Sequence, residues 1–576
     1  MPIKNATYAS CMKNKFSLLA LFLLINLFLI AQNNGHQPSA NISVSINQKI
    51  GKMYPAWAWF GYDEPNYTYM KDGKKLLSEI AHLSPVPAHI RTHSLLVSGD
   101  GVAALKWGST NVYAEDSNGR PIYTWNIIDS IFDTYVQRGI KPLAQIGFMP
   151  EALSSKPLPY QHHWKPGTPY GDIFTGWTFP PKDYLKWAEL VKQWVLHAVA
   201  RYGATEVGSW YWELWNEPDS PYWGGSLQEY LKLYDYTVAA AKNALPSIQV
   251  GGPHVTGPAG TRGANFLKAF LQHCISEKNY VTNEIGTPLD FIAFHAKGSP
   301  KLINNHVRMD MGKQLRDIAS GFSIVAAYPS LKKLPIIIGE SDPEGCAACG
   351  MATNPENAYR NGTMYSSYTA ASFARKYALA DSLNVNFLGA VSWSFEFENQ
   401  PWFYGFRDLA TNGVDKPVLN VFRMFGMMQG SRLNVAANQM YPLKKIVSTS
   451  VREAQSDIGA IASSDLKTAA VMVWNYHDDD VLKESTIVHL TINDIPSKTL
   501  LLTHYRIDQF HSNSYEVWKK MGSPQQPSQE QIAQLEKAGQ LETLDPPQKL
   551  NIKHHQLNYN IEMPIQGVSL LKIDWK

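Results

Sequence analysis

A (β/α)8 barrel followed by a C-terminal β-sandwich is the fold this sequence predicts, and three observations predict it. Eight short apolar runs rich in β-branched and aromatic residues succeed one another between residues 56 and 395. Helical patterns separate them, and the later runs start at 209, 248, 291, 335 and 388, at intervals of 39, 43, 44 and 53 residues. After about Gly430 the helical texture fades and alternating strand patterns replace it. Strand and helix alternating at that period imply βα units around a parallel sheet, and eight of them close into a barrel. No G-x-G-x-x-G follows the first run, which argues against an open dinucleotide-binding sheet.

Taken in order, the chain opens on Lys4, Lys13 and Lys15 with no acidic residue, then runs apolar from Phe16 to Ile30. That run is shorter than the ~20 residues a membrane span needs and has the form of a secretory signal peptide covering residues 1–31. The expected location is therefore secreted or periplasmic, with no membrane attachment after signal removal. The barrel is expected over 50–430. Its strands are predicted at Ala56–Gly61, Ala88–His93, Lys141–Phe148, Ser209–Glu217, Ile248–Pro253, Phe291–Ala296, Pro335–Ser341 and Leu388–Phe395. Helical spacing is read in Pro181–Tyr202, Ser226–Leu245, Asn265–Ile275, Gly312–Ile318, Asn357–Leu383 and Val418–Met428. The sandwich is expected over 431–576, from Ala470–Tyr476, Ile487–Ile492, Leu500–Ile507 and Val568–Trp575, with a helix near Gln529–Leu541; Asn41–Ile46 is a candidate to join it.

Composition narrows the function. Lys plus Arg number 52 against 49 Asp plus Glu, a net charge of +3, which argues against a nucleic-acid partner. Aromatic residues reach 12%, with 17 Trp, and such side chains serve either cores or pockets for flat amphipathic ligands such as sugars. Trp57, Trp59, Trp215 and Trp393 fall on or beside predicted strand ends, where they are expected to wall a pocket, whereas Trp187 and Trp194 sit on a helix and are expected in the core. Cys346-Ala-Ala-Cys349 is read as a disulfide or two thiols, since a structural zinc site needs four ligands. The adjacent His162-His163 cannot share one face as ligands, and Asp478–Asp480 reads as a solvated turn without the glycine and distal glutamate of a calcium loop. No metal or other cofactor is expected.

Barrels of this kind build their chemistry at the C-terminal ends of the strands. Those ends carry Arg91 and His93, Asn216 and Glu217, His295 and Lys297, Glu340, and Trp393 with Glu396 and Glu398. Glu217 and Glu340 are 123 residues apart, about three barrel units, which places them on strands four and seven, facing across the mouth. Paired carboxyls flanking a substrate are what glycosidic bond cleavage requires: one protonates the leaving oxygen, the other attacks the anomeric carbon or activates water. Asp342 and Glu344 are rivals for the second role, but lie beyond the strand in a loop where a solvated position is expected. A non-catalytic sugar-binding barrel is the alternative of a different class; it has no need of both carboxylates.

The segment Trp212-Glu213-Leu214-Trp215-Asn216-Glu217-Pro218-Asp219 resembles the acid/base segment of glycoside hydrolase family 39, which holds β-xylosidases and α-L-iduronidases. Arg91-Thr92-His93, Gly251-Gly252-Pro253, Asp290–Gly298 and Glu340-Ser341-Asp342-Pro343 are similar to family segments in the same order, and Tyr505–Gln529 is similar to the iduronidase sandwich. The resemblance implies a retaining hydrolase of an oligosaccharide or glycoside, with Glu217 as acid/base and Glu340 as nucleophile. It implies that Asn216 bonds the 2-hydroxyl and that His93, His295 and Glu398 contact other hydroxyls. For that mechanism Glu217 must be protonated while Glu340 is ionised. Lys297 resembles the iduronidase lysine that holds a uronic carboxylate, with Arg407 as a second cation; pairing of Lys297 with a carboxylate such as Glu398 is the plainer reading. The loop after Glu340, with Gly345-Cys346, departs from the iduronidases, and Trp402–Pro417 is similar to the xylosidases. β-D-Xylosidase activity is therefore the expectation and α-L-iduronidase-like activity the alternative.

Overall fold

The computed structural model describes residues 38–575 apart from 169, 394, 395, 482 and 483, so the expected signal at 1–31 and the end of the eighth predicted run lie outside the described residues. Eight parallel strands close a barrel: Trp59–Tyr62, His89–Thr92, Lys141–Ile146, Tyr211–Leu214, Gln249–Val255, Phe291–His295, Ile336–Glu340 and Phe387–Trp393. Each lies within or overlaps a predicted run, and the eighth pairs back onto the first. Helices Tyr184–Tyr202, Leu227–Ala244, Thr261–Ser276, Met311–Ala326, Thr363–Leu383 and Pro417–Gly426 match the helical patterns. The first of these starts where Asp183 accepts the Leu185 and Lys186 amide hydrogens.

Among the described residues, Lys71–Ala81 and Asn126–Val136 are the two long helices absent from the sequence reading, which also lacks the short Ala204–Gly208, Leu443–Thr449 and Ser514–Lys520. The first buries only Leu76, Leu77 and Ile80 as large apolar residues, and the second is rich in isoleucine, a strand former by propensity. Packing against the barrel overrides both signals.

Inside the barrel, alternation assigns each strand an inner face. Trp59, Leu143, Phe291, Ala293, Ile337 and Val391 fill the lower lumen. Gly389 makes room there, since a Cβ would lie 2.3 Å from the Trp59 indole nitrogen.

The C-terminal region is one continuous ten-stranded sheet. The strand Ser39–Lys52 sits within it, antiparallel to Ser431–Ala437 and parallel to Thr486–Asn493. Leu557–Met563 ends the sheet on one side and Thr499–Ile507 lies next to the short strands that end it on the other, yet Ile561 and Leu500 share one core with Ile42, Val471 and Leu571. The expected sandwich is thus a single sheet curled onto itself. Trp518 and Leu535, from two helices of this region, pack with Trp402, Phe403 and Val414 beyond the eighth barrel strand.

Candidate active site

The upper lumen is polar because the strand period carries polar residues into it and two irregularities add more. On the second strand, His89, Arg91 and His93 share the inner face. On the fourth, Glu213 points inward, after which Trp215 and Glu217 take positive φ values of 69° and 46°, and that turn aims Glu217 over the mouth. Strict alternation from Ile337 would send Glu340 outward. Instead Ile338 pairs with Phe294 and Glu340 with His295, so Gly339 is one extra residue that restores Glu340 to the inner face. A Cβ on Gly339 would lie 2.2 Å from His254 Nδ1, so glycine is required there. His254 is itself the extra residue of the fifth strand, with φ 54°.

These side chains form one buried network. Arg91 Nε donates to Glu213 Oε1 at 2.9 Å, its Nη1 lies 3.3 Å from Glu340 Oε1, and its Nη2 donates to Asn216 Oδ1 at 3.0 Å. His254 Nε2 lies 2.5 Å from Glu213 Oε2. Lys297 Nζ donates to Glu217 Oε1 at 2.9 Å and to Glu340 Oε2 at 2.8 Å, bridging the two carboxylates. His295 Nδ1 contacts Glu217 at 2.9 Å and Glu340 at 3.5 Å. Arg407 reaches Glu340 Oε2 at 3.1 Å and holds Asp342 through Nε and Nη2. Trp393 lies beneath both guanidiniums, 5.2 Å from Arg91 and 5.1 Å from Arg407. Glu217, His295 and Glu340 present atoms within 4.8 Å of one another, so the two carboxyls are close enough to act on one bond.

Burial pushes the Glu217 and Glu340 carboxyls up, but Lys297 and then His295 outweigh it. Glu217 is lowered to about 2, and Glu340, which Arg407 and Arg91 also face, lies well below the usual range. This arrangement favours the ionised form of both carboxyls, where the sequence reading expected Glu217 to be protonated. The ammonium between them is the cause. Burial likewise raises Glu213, yet Arg91 and His254 hold it at about 2; burial lowers His254 to about 3 and keeps it a neutral donor.

A cavity of about 310 Å³ opens above the network, lined by Asp63, Glu64, Trp107, His162, Tyr222 and Lys297 among others. Lys297 links the two, since it reaches the cavity wall and bridges both carboxylates.

The profile of the glycosyl hydrolases family 39 matches residues 40–548. The chain belongs to family 39. It is a glycoside hydrolase. A β-xylosidase of Caldicellulosiruptor saccharolyticus is 26% identical over 516 residues, covering 87% of this chain and 91% of that protein. An α-L-iduronidase of Mus musculus is 24% identical over 383 residues, covering 62% and 56%. In structure, a monomeric β-xylosidase from Caulobacter crescentus superposes with a TM-score of 0.71 at 20% identity, over 93% of this chain and 99% of that one, a likeness of fold.

Against the family 39 expectation, the structure brings Glu217, Glu340, Asn216, His295, Lys297, Trp393 and Arg407 together. His93 pairs with Asp63 at 2.9 Å and packs edge-on against Trp393, so Asp63 is the group that meets the cavity. Glu398 departs from its expected place: its Oε2 accepts the Asp72 amide hydrogen at the start of helix Lys71–Ala81. Lys297 accordingly pairs with Glu217 and Glu340, not with Glu398. Asp342 is not solvated but buried against Arg407, and Glu344 pairs with Arg360 at 2.8 Å. Asp478 is also buried, accepting from Tyr476 Oη at 2.8 Å, and Asp479 is buried against Arg308, so of the aspartate run only Asp480 is exposed as expected.

The tryptophan expectation is corrected too. Trp57 stacks on Phe425 outside the barrel, Trp59 fills the lower lumen, and Trp215 packs against Phe148 and Trp223. Of the four, Trp393 alone meets the charged network, while Trp187 and Trp194 are core as expected. The aromatic wall comes instead from loops, with Trp107, Trp164, His162 and Tyr222. No period or motif marks Trp107, Trp164 or Tyr222 in the sequence, and His162 stood out only as one of an adjacent histidine pair. Arg91 and Glu213 were more accessible to sequence reasoning, because both lie on predicted strands, and His254 directly follows the predicted run Ile248–Pro253.

Proposed function

We propose that the protein is a retaining exo-β-D-xylosidase in which Glu217 is the acid/base and Glu340 the nucleophile. The observation that carries this reading is the approach of the two carboxylates within 4.8 Å, close to the ~5–5.5 Å of retaining enzymes and short of the ~6.5–9.5 Å that leaves room for an inverting water. A sugar ring entering the cavity displaces the Lys297 ammonium. Glu217 then takes up a proton, because it loses its main cation, whereas Glu340 keeps Arg91 and Arg407 and stays ionised. Glu340 attacks the anomeric carbon as Glu217 protonates the leaving oxygen; Glu217 next takes a proton from the water that releases the sugar. Asn216 turns its Oδ1 to Arg91, which points its Nδ2 the other way as a donor for the 2-hydroxyl.

The charge around the cavity favours a neutral sugar. The Lys106 ammonium is held by Asp100, and every nitrogen of Arg407 faces an acceptor. Asp63 and Glu344 place carboxylates in the wall, and burial raises the Glu64 carboxyl well above its ordinary value. Parallel assays on an aryl β-D-xyloside and an aryl α-L-iduronide test the sugar, with NMR of the first product testing stereochemistry. Turnover of the xyloside with β-xylose formed first is expected; activity confined to the iduronide sinks the xyloside assignment.

We also propose that residues 1–31 direct export. The Cys346–Cys349 disulfide supports this, since such bonds persist in oxidising compartments. Mass spectrometry of the exported protein should find Gln32 at its N-terminus; an intact Met1 would refute cleavage.

A further inference from the structure

The four-residue loop closed by Cys346 and Cys349 lies where the cavity wall meets the charged network. Gly345, Cys346, Ala347 and Ala348 line the cavity. The same loop supplies the carbonyls that hold Arg407 from behind: Arg407 Nη1 donates to Gly345 O at 2.8 Å, and the Arg407 amide donates to Ala347 O at 2.9 Å. Arg407 in turn faces Glu340. The loop is pinned at both ends. The Cys346 amide donates to Glu344, which Arg360 grips, and Asn357 Nδ2 donates to Cys349 O at 2.9 Å. The Met351 amide donates to Tyr404 O at 2.7 Å, and a Cβ on Gly350 would lie 2.1 Å from the Tyr404 ring, so loop and Arg407 segment share a close seam. Gly345 also borders Lys297, whose Nζ would lie 3.2 Å from a Cβ at that position.

Neither regular secondary structure nor a large apolar side chain shapes residues 345–350; the disulfide is the covalent closure that fixes where the carbonyls of Gly345 and Ala347 point. We propose that the Cys346–Cys349 disulfide is a positioning element for Glu340, acting through the two loop carbonyls that anchor Arg407. It rests on the assignment of Glu340 as nucleophile. In the oxidised loop the guanidinium is held on one side by the Gly345 carbonyl and on the other by Asp342 and Glu340, while the Ala347 carbonyl holds the Arg407 backbone amide. Opening the ring leaves Asp342 as the remaining fixed anchor, so Arg407 drifts from Glu340 and the cavity wall loosens with it. Cys346 faces the cavity, within reach of a small reductant, whereas the free thiol of Cys274 is buried in a helix remote from the loop.

The test compares oxidised enzyme, enzyme reduced by dithiothreitol and the Cys346→Ser/Cys349→Ser double variant, all in a Cys274→Ala background. Dithiothreitol closes its own cyclic disulfide as the protein S–S bond breaks, leaving two thiols at 346 and 349. Reduction should lower kcat on the aryl glycoside about tenfold, the scale set by loosening one charge-assisted anchor. The acidic limb of the kcat/KM profile should move to higher pH, because Glu340 is then less strongly held ionised. Reoxidation should restore both, the double variant should match the reduced enzyme and ignore dithiothreitol, and the melting temperature should stay within a few degrees. An unchanged kcat and acidic limb overturns the proposal, as does a loss of activity that merely tracks unfolding. A crystal structure of the double variant separates this from the functional reading: Arg407 still bonded to Gly345 O and facing Glu340 overturns the positioning role whatever the substrate proves to be.

Discussion

At the lower end of the barrel lumen, Trp59, Leu143, Phe291, Ala293, Ile337 and Val391 meet as hydrocarbon; a few residues further along the same strands, Arg91, Glu213, His295, Glu340 and the cations around them meet as charge. The two levels share strands, register and burial. They differ in what replaces water: dispersion and the hydrophobic effect below, paired ions and hydrogen bonds above. Packing tolerates a local loss by forming a cavity, whereas a network of buried charges transmits the loss of one member to the rest. The difference teaches that the floor serves stability and the mouth serves chemistry, and variants at the two levels should separate these quantities.

Glu340→Gln should have the largest effect, lowering kcat on an aryl glycoside by roughly 10⁴-fold or more, as expected for a nucleophile. Glu217→Gln should cost about 10²–10⁴-fold on substrates with poor leaving groups and far less on activated ones. Both should unfold cooperatively like the wild type; near-normal turnover by either overturns the assignment.

Arg407→Met should destabilise the fold by about 3–5 kcal/mol in denaturant titrations, since it leaves Asp342 and Glu340 buried beside a missing partner, and should lower turnover too. Ile337→Ala is the counterpart on the floor. It should cost about 2–5 kcal/mol but leave kcat within about twofold, because a cavity there moves no charge. Equal losses of activity in the two variants would erase the comparison.

The pH dependence of stability sharpens it. Glu217 and Glu340 titrate below their 4.5 reference, so their contribution is present above pH 4.5 and is lost as pH falls toward about 2. Melting curves between pH 5 and 3 should steepen for wild type and for Ile337→Ala alike, and flatten for a Glu217→Gln/Glu340→Gln variant. The smallest effect is expected for Lys297→Met. Removing the ammonium raises the Glu217 carboxyl, so the alkaline limb of kcat/KM should move up by about one pH unit. A downward move would show that Lys297 does not hold Glu217 ionised.

Much of the fold was legible because it depends on local period. Runs such as Phe291–Ala296 and Pro335–Ser341 are apolar enough to be buried on both faces, and five of the six matched helices carry their own apolar stripe, Thr363–Leu383 being buried on nearly every side. The helices Lys71–Ala81 and Asn126–Val136 were not, since tertiary packing and not propensity makes them helical. Within the site, Glu217 and Glu340 were legible as charged ends of apolar strands, where a carboxylate is costly without a use. Glu398 was misplaced because a carboxylate two residues beyond Glu396 carries no sign of which neighbour it serves; the open amide of Asp72 decided that.

The sequence by itself determined the strand order, the position of both carboxylates and the inward face of the second strand, since each follows from spacing along one segment. Only the tertiary structure decided that Gly339 and His254 are extra residues, because a bulge exists only relative to a neighbouring strand. It alone decided that Lys297 bridges Glu217 and Glu340, and that the pocket's aromatic wall comes from Trp107, Trp164, His162 and Tyr222 rather than from strand-end tryptophans. Those facts depend on distances between segments remote in the chain, and such distances are set by closure of the barrel and by the loops folded over its mouth.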